Sequence, residues 1–221
     1  MLKIQALSDI HGDLIDVPKC DVVCICGDFS PLLIQRDYTQ MMKWVFSDFI
    51  SWLIKLNCKK VLIVPGNHDF FFEKMMNKQV YDIIEKGTDN KVKFLIDEEY
   101  TYKNVKFYGT PMCESIFGNW AYCDSVIARK SYENIPFGTD ILLTHEAPYN
   151  SCGKIDDENR FGSFILLDQV RTKSPKYHIF GHIHDGNRTE IEGNTTFINV
   201  SVKDDSYKTI RESVEILYDN E

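Results

Sequence analysis

Asp21–Asp28 reads DVVCICGD, and Val22 through Cys26 contain no polar residue. A strand with one wet face alternates apolar and polar residues; a strand covered on both faces does not. The stretch therefore predicts a buried strand over Asp21–Cys26, stopped by Gly27 and Asp28. Upstream, Lys3–Leu7 (KIQAL) is a second such run and leads into SDIHG, Ser8–Gly12. Downstream, Lys60–Val64 (KVLIV) is a third and leads into GNHD, Gly66–Asp69. Between the last two, Met41, Trp44, Val45, Phe49, Trp52 and Leu56 recur at helical spacing, which predicts an amphipathic helix over Tyr38–Leu56. Strand, helix and strand in this order imply a largely parallel sheet covered by helices.

The same signals continue along the chain. Phe71–Lys86 reads as a helix closed by Gly87. Val92–Leu95, Glu99–Tyr102 and Val105–Tyr108 read as short strands, the last two joined by a hairpin turn at Lys103-Asn104. Asp140–Thr144 (DILLT) and Lys176–Phe180 (KYHIF) are again buried-type strands, with a helix over Phe164–Thr172 between them. Thr189–Ile191, Thr196–Val200 and Ser213–Leu217 read as antiparallel strands. With no internal repeat and no linker, one domain over residues 1–221 is the simplest organisation.

Bulk properties narrow the function class. The chain has 221 residues and a formal net charge of −8, which argues against a nucleic-acid or anionic-membrane binder. Seven cysteines occur without a C-x-x-C pair, so a thiolate zinc ribbon is not expected. Cys24 and Cys26 read as small buried hydrophobes, and free thiols in this number suit a reducing, cytoplasmic setting. The apolar start is too short for a signal peptide, and no apolar run is long enough to span a membrane.

The polar residues that stand out all follow strands. Asp9 and His11 follow the first, Asp28 the second, and Asn67, His68 and Asp69 the third. His145 follows DILLT, and His182 and His184 follow KYHIF. Loops at the carboxyl ends of parallel strands converge on one crevice, so these motifs are expected to meet. Five of the six histidines lie in them; the sixth, His178, sits inside a strand and reads as structural. Carboxylates, neutral imidazoles and an amide oxygen suit Mn²⁺, Fe or Zn²⁺. Seven ligands exceed what one ion with open positions can use. They suit two divalent ions about 3.5–4 Å apart sharing a carboxylate, for which Asp28 is the candidate.

SDIHG, GD (Gly27-Asp28), GNHD, TH (Thr144-His145) and GHIH (Gly181–His184) resemble, in order, the blocks of the calcineurin-like metallophosphoesterase superfamily. GDFSP, GTPMCESIFGNWAY (Gly109–Tyr122), THEAP and FGHIHDG look like its 239FB-type phosphodiesterase branch. The resemblance implies an α/β fold, a four-layer-type sandwich of two mixed β-sheets flanked by helices, with a dinuclear metal site at strand C-terminal loops. It implies one metal held by Asp9, His11, Asp28 and His184, and the other by Asp28, Asn67, His145 and His182. His68 would face the substrate phosphate. One departure is visible: Pro31, Leu32 and Leu33 stand where many members continue GD-x-x-x-x-G.

The function implied is hydrolysis of small phosphate esters by a metal-activated water, with manganese as the first choice of metal. Phosphodiesters, cyclic nucleotides among them, are the leading substrate class. His68 would be the acid, with Asp69 either orienting its ring or capping the helix that follows. Phe117, Trp120 and Tyr122 could wall a leaving-group pocket or simply pack in the core. Arg160 could pair with phosphate or be a solvated loop arginine. A phosphomonoesterase or protein phosphatase, and a metal-binding scaffold without catalysis, are the competing functions.

Overall fold

The computed structural model describes residues 1–74, 79–114, 118–152, 161–185 and 189–219. Two mixed sheets stack face to face with helices on both outer sides. The first sheet has the order β11-β1-β2-β3-β4, built from β1 (Leu2–Leu7), β2 (Val22–Cys26), β3 (Lys60–Val64), β4 (Val92–Phe94) and β11 (Val214–Tyr218). β1 to β4 run parallel and β11 closes the β1 edge antiparallel. The second sheet has the order β5-β6-β7-β8-β10-β9. Its strands are β5 (Glu98–Tyr102), β6 (Val105–Thr110), β7 (Ile141–Thr144), β8 (Tyr177–Phe180), β9 (Thr189–Glu192) and β10 (Thr195–Asn199).

The layering explains DVVCIC. Val22, Cys24 and Cys26 face the second sheet, packed with Val105, Phe107, Leu143 and Ile179. Val23 and Ile25 face the other way, onto a helical layer with Met41, Val45, Phe49 and Leu53. Both faces of β2 are covered, so both must be apolar. The second sheet repeats the pattern: Leu142, Phe180 and Phe197 pack outward against Ala128, Tyr132, Leu166 and Val170. Those four belong to α5 (Ser125–Glu133) and α6 (Phe164–Lys173).

The helix expected over Tyr38–Leu56 spans α1 (Tyr38–Trp44), a π-helical turn (Val45–Phe49) and α2 (Ile50–Lys55). Its buried residues Met41, Val45, Phe49 and Leu53 are spaced by four. A strict four-residue repeat drifts around a 3.6-residue helix, and the wider π turn, with Ile50 N–H on the Val45 carbonyl, restores the face. Leu53, rather than Trp52, is therefore the fully buried residue of the last turn.

Two expectations need correction, and one helix was not anticipated. The helix read over Phe71–Lys86 is seen as α3 (Phe70–Lys74) and α4 (Gln79–Gly87), with 75–78 outside the described residues. Gly87 is its last helical residue, and Asp89 and Asn90 take the left-handed positions after it (φ 53° and 54°); short polar side chains tolerate that region. In the tail, β10 is antiparallel to β9 but parallel to β8. Alternation fixes which face is buried, not which way the strand runs. Finally, α5 carried no anticipated signal, although Asp124 Oδ1 caps it by accepting from Val126 and Ile127 N–H, each at 2.9 Å. The hairpin at Lys103-Asn104 is as expected, with both residues left-handed (φ 47° and 66°). Among the described residues no helix is long and apolar enough to cross a membrane.

Candidate metal centre

The carboxyl ends of the parallel strands in both sheets point the same way and are stitched together. Ser8, after β1, bridges Ser201, after β10, and Gly181, after β8, donates to the His145 carbonyl at 3.3 Å. This places the Asp9, Asp28, Asn67, His145 and His182 loops around one point, as the strand-end reasoning required.

Asp28 is at the centre. Its Oδ1 accepts the His68 backbone N–H at 2.8 Å. Its Oδ2 lies 3.4 Å from His145 Nε2, 3.9 Å from His11 Nε2 and 3.8 Å from His68 Nε2. On one side, Asn67 Oδ1 is 2.9 Å from His145 Nε2 and 3.0 Å from His182 Nδ1, and those two nitrogens are 3.3 Å apart. On the other side are His11, Asp9 and His184, whose Nε2 is 3.6 Å from Asp9 Oδ1. All seven residues expected as ligands thus lie around the Asp28 carboxylate, and the Asp/His sets compact enough to hold an ion are Asp9, His11 and His184; Asp9, Asp28 and His145; and His11, Asp28 and His68.

Several observations test whether these residues fit divalent cations. Both ring nitrogens of His11 are buried without a hydrogen-bond partner among the described residues. His145 Nδ1 is 2.8 Å from the Cys26 carbonyl, and His184 Nδ1 is 3.0 Å from the Asp204 carbonyl. A carbonyl only accepts, so each Nδ1 carries a proton and each Nε2 is the nitrogen turned inward, the arrangement that orients metal-ligating histidines. Burial holds His11 and His182 down at about 4, leaving neutral imidazoles at neutral pH. Burial opposes charge on His145 too, but the Asp28 carboxylate overcomes it and pushes His145 up to about 10. The site thus draws positive charge to the point between Asp28 Oδ2 and Asn67 Oδ1. Oxygen and imidazole donors without a thiolate suit Mn²⁺, Fe or Zn²⁺, so the residues present fit such a pair of ions.

The backbone is shaped for this convergence. Asp9, His11, Asp28 and His182 are all left-handed, with φ of 57°, 43°, 53° and 70°. Left-handed non-glycine residues cost about 1–3 kcal/mol each and persist only when surroundings over-determine them. Here backbone bonds hold them, Asp9 N–H to the Gly27 carbonyl at 3.1 Å and His11 N–H to the Asp28 carbonyl at 3.0 Å. Two glycines make room. A Cβ on Gly27 (φ 89°) would lie 2.3 Å from His145 Nδ1, and one on Gly66 would lie 2.3 Å from Asp28 Oδ1.

Asp69 has neither role expected of it. Its carboxylate is fully buried and accepts four bonds: from Gly66 N–H (2.7 Å), Asp28 N–H (2.9 Å), Ser30 N–H (3.0 Å) and Ser30 Oγ (2.6 Å). It ties the Asp28 loop to the GNHD turn, and only its backbone carbonyl serves the following helix, through Phe72 and Glu73 N–H. Burial, with the Asp28 charge, pushes its carboxyl up to about 7. The His68 ring is oriented by Gln35, whose Oε1 is 2.8 Å from Nδ1 while its amide nitrogen donates to the Leu32 carbonyl at 3.0 Å. Gln35 gave no signal in the sequence because it belongs to no motif.

Among the aromatic candidates, Trp120 packs on His68, with centroids 4.7 Å apart. Tyr122 is a core residue, 3% exposed, with its hydroxyl 2.8 Å from that of Tyr81. Phe117 and Arg160 lie outside the described residues. His178 is buried in β8 against Phe180 and Phe197, its Nε2 2.9 Å from Thr144 Oγ1. Two residues near the centre were not anticipated. Arg36 lies over the Phe70 ring at 3.9 Å and donates to the Asn119 carbonyl at 2.6 Å. Tyr207 sets its ring 5.0 Å from that of His11 and 5.3 Å from that of His184. Both come from segments whose sequence looks like ordinary loop.

Comparison with known proteins bears on the family and the fold. The human metallophosphoesterase domain-containing protein 1 is 27% identical over 238 residues, covering 97% of this chain and 70% of that protein. The crystal structure of TT1561 of Thermus thermophilus matches with a TM-score of 0.63 at 16% identity, covering 92% of this chain and 89% of that one. A dimetal phosphatase from Danio rerio matches with a TM-score of 0.56 at 12% identity, covering 92% and 87%. At those identities the two structures speak for the fold alone. The family model for calcineurin-like phosphoesterases matches residues 2–186, which contain all five motifs. The chain belongs to the calcineurin-like phosphoesterase family.

Proposed function

We propose that this chain is a manganese-dependent cytoplasmic phosphodiesterase acting on small phosphodiesters. Family membership supports hydrolysis of phosphoester bonds. The observation that carries the proposal is the position of Asp28 Oδ2, within 3.9 Å of His11 and His145 nitrogens from the two ligand groups and 3.8 Å from His68 Nε2. Seven unlinked cysteines support the reducing compartment.

When bound, two divalent ions supply positive charge for the phosphoryl oxygens and make water acidic enough to attack phosphorus near neutral pH. The protein does the rest. Asp9, Asp28, Asn67 and the four ligand histidines hold that charge at the strand ends. His68 carries its proton to the reacting face: Nδ1–H is engaged by Gln35, so Nε2 is the nitrogen that exchanges protons. Burial holds the His68 ring below its ordinary pKa, so Nε2 takes up a proton from solvent before the step. As the attacking water loses a proton to solvent and its oxygen bonds to phosphorus, the ester P–O bond breaks, the departing oxygen takes the electron pair and His68 Nε2 hands it that proton. Trp120, packed on the same ring, covers the leaving-group side.

Turnover of bis-(p-nitrophenyl) phosphate and p-nitrophenyl phosphate, each with Mn²⁺ and with chelator, tests this. Mn²⁺-dependent cleavage of the diester in preference to the monoester is the expected result. Monoester cleavage alone would instead support a phosphomonoesterase, a reading favoured by the Arg36 cation beside Phe70 and Trp120.

A further inference from the structure

The segment that departs from the family pattern forms a wall beside the metal centre. Pro31 and Leu33 follow Asp28 and line a cleft whose other sides are His11, Asp13, Lys203 and Tyr207. Leu33 is fully exposed. Tyr207 is 42% exposed and stands edge-on to both His11 and His184, in a left-handed conformation (φ 60°). His11 belongs both to the cleft and to one metal group, so the two spaces are continuous.

The cleft wall is held in place rather than draped there. Lys203, 3% exposed, bonds with its ammonium to Asp13 Oδ2, to the Tyr207 carbonyl at 3.0 Å and to Thr209 Oγ1 at 3.2 Å. Those three acceptors use all of its protons. Tyr207 N–H returns to the Asp204 carbonyl at 2.8 Å, the same carbonyl that orients His184. The buried Lys203 ammonium and the exposed Asp13 carboxylate cancel each other, so no net positive charge is left there to attract an anion. What faces the solvent is a tyrosine ring, leucine and proline side chains, and the half-exposed Asp13 carboxylate that the buried Lys203 ammonium neutralises. Among the described residues the cleft offers no spare cation for a second phosphate or a carboxylate.

We infer that this cleft is a substituent subsite, receiving an uncharged planar ring (an aryl group or a nucleobase) carried by the phosphoester whose phosphate sits at the metal centre. The ring enters between Tyr207 and Leu33, on the His11 side, opposite in the row of rings to Trp120. Trp120, His68, His11 and Tyr207 follow one another at centroid spacings of 4.7, 4.9 and 5.0 Å. A diester thus finds one wall for each of its two substituents. The inference rests on the phosphoesterase reading but not on diester turnover.

The test is calorimetric binding of phenyl phosphate and methyl phosphate to Mn²⁺-loaded protein, in wild type and in Tyr207→Ala, Leu33→Asp and Trp120→Ala. Neither ester is a diester, so failure of diester hydrolysis does not affect the readout. The expected result is about tenfold tighter binding of phenyl phosphate by the wild type. That preference falls to about twofold or less in Tyr207→Ala and in Leu33→Asp, while methyl phosphate binding holds within about threefold. Equal affinities in the wild type overturn the inference. So does a preference that survives both cleft variants and disappears only in Trp120→Ala, which would seat the ring on the other wall. Absence of binding by either ester to protein that retains the metal overturns the inference together with the proposed function.

Discussion

Asp69→Asn separates a bracing carboxylate from a catalytic one. The substitution keeps the shape but replaces one oxygen by NH₂ in a place where four donors converge. The least costly arrangement turns NH₂ toward Ser30, because the hydroxyl can rotate to accept. Gly66 and Asp28 N–H then keep an acceptor, now uncharged, and Ser30 N–H loses its own. One stranded buried donor costs about 1–3 kcal/mol, and the weakened bonds cost somewhat more. Relief of the Asp28 repulsion offsets part of this, leaving a net loss of about 2–4 kcal/mol. For a chain of this size that corresponds to a melting point lower by roughly 5–15 °C. The Asp28 loop loosens with it, so metal affinity falls by about 10- to 100-fold, as when other groups behind ligands are removed. Thermal unfolding and metal analysis measure both. If Asp69→Asn melts within about 2 °C of the wild type, binds metal unchanged and has lost only turnover, the bracing role is wrong and a catalytic one is restored.

Other predictions follow from the same geometry. Asp28→Ala removes the carboxylate common to both groups, so metal content and turnover should vanish together; an active, metal-loaded variant would refute its central place. His68→Ala leaves every ligand in position, and metal content should stay at the wild-type level while kcat falls by about 10²–10⁴-fold. Gln35→Leu frees the His68 ring without touching the ligands. It should lower kcat about tenfold with little change in metal content, and a variant with wild-type kcat would show that the 2.8 Å contact with Gln35 does not position the acid.

The motifs are legible because the chemistry sits where the strand pattern ends. Asp9, Asp28, Asn67, His145 and His182 each follow an apolar run covered on both faces, and parallel strands must bring such positions to one edge. What is hidden arrives by tertiary routes. Lys203 and Tyr207 lie beyond β10, whose parallel pairing with β8 cannot be seen in an alternating pattern, yet they reach back to Asp13 and His11 near the start of the chain. Asp69 looks catalytic through adjacency to His68, but neighbours in sequence face different ways in a turn, and its carboxylate points to Ser30. The π turn in the long helix is implicit in the four-residue spacing of Met41, Val45, Phe49 and Leu53, and is masked because Trp52 fits an unbroken helix better.

The central claim is that one chain holds two cations on either side of Asp28 Oδ2. Anomalous diffraction from crystals soaked in Mn²⁺ tests it most directly. Two peaks are expected, one among Asp9, His11 and His184 and one among Asn67, His145 and His182, with Asp28 touching both. A single peak, or manganese bound elsewhere with these residues unliganded, would contradict it.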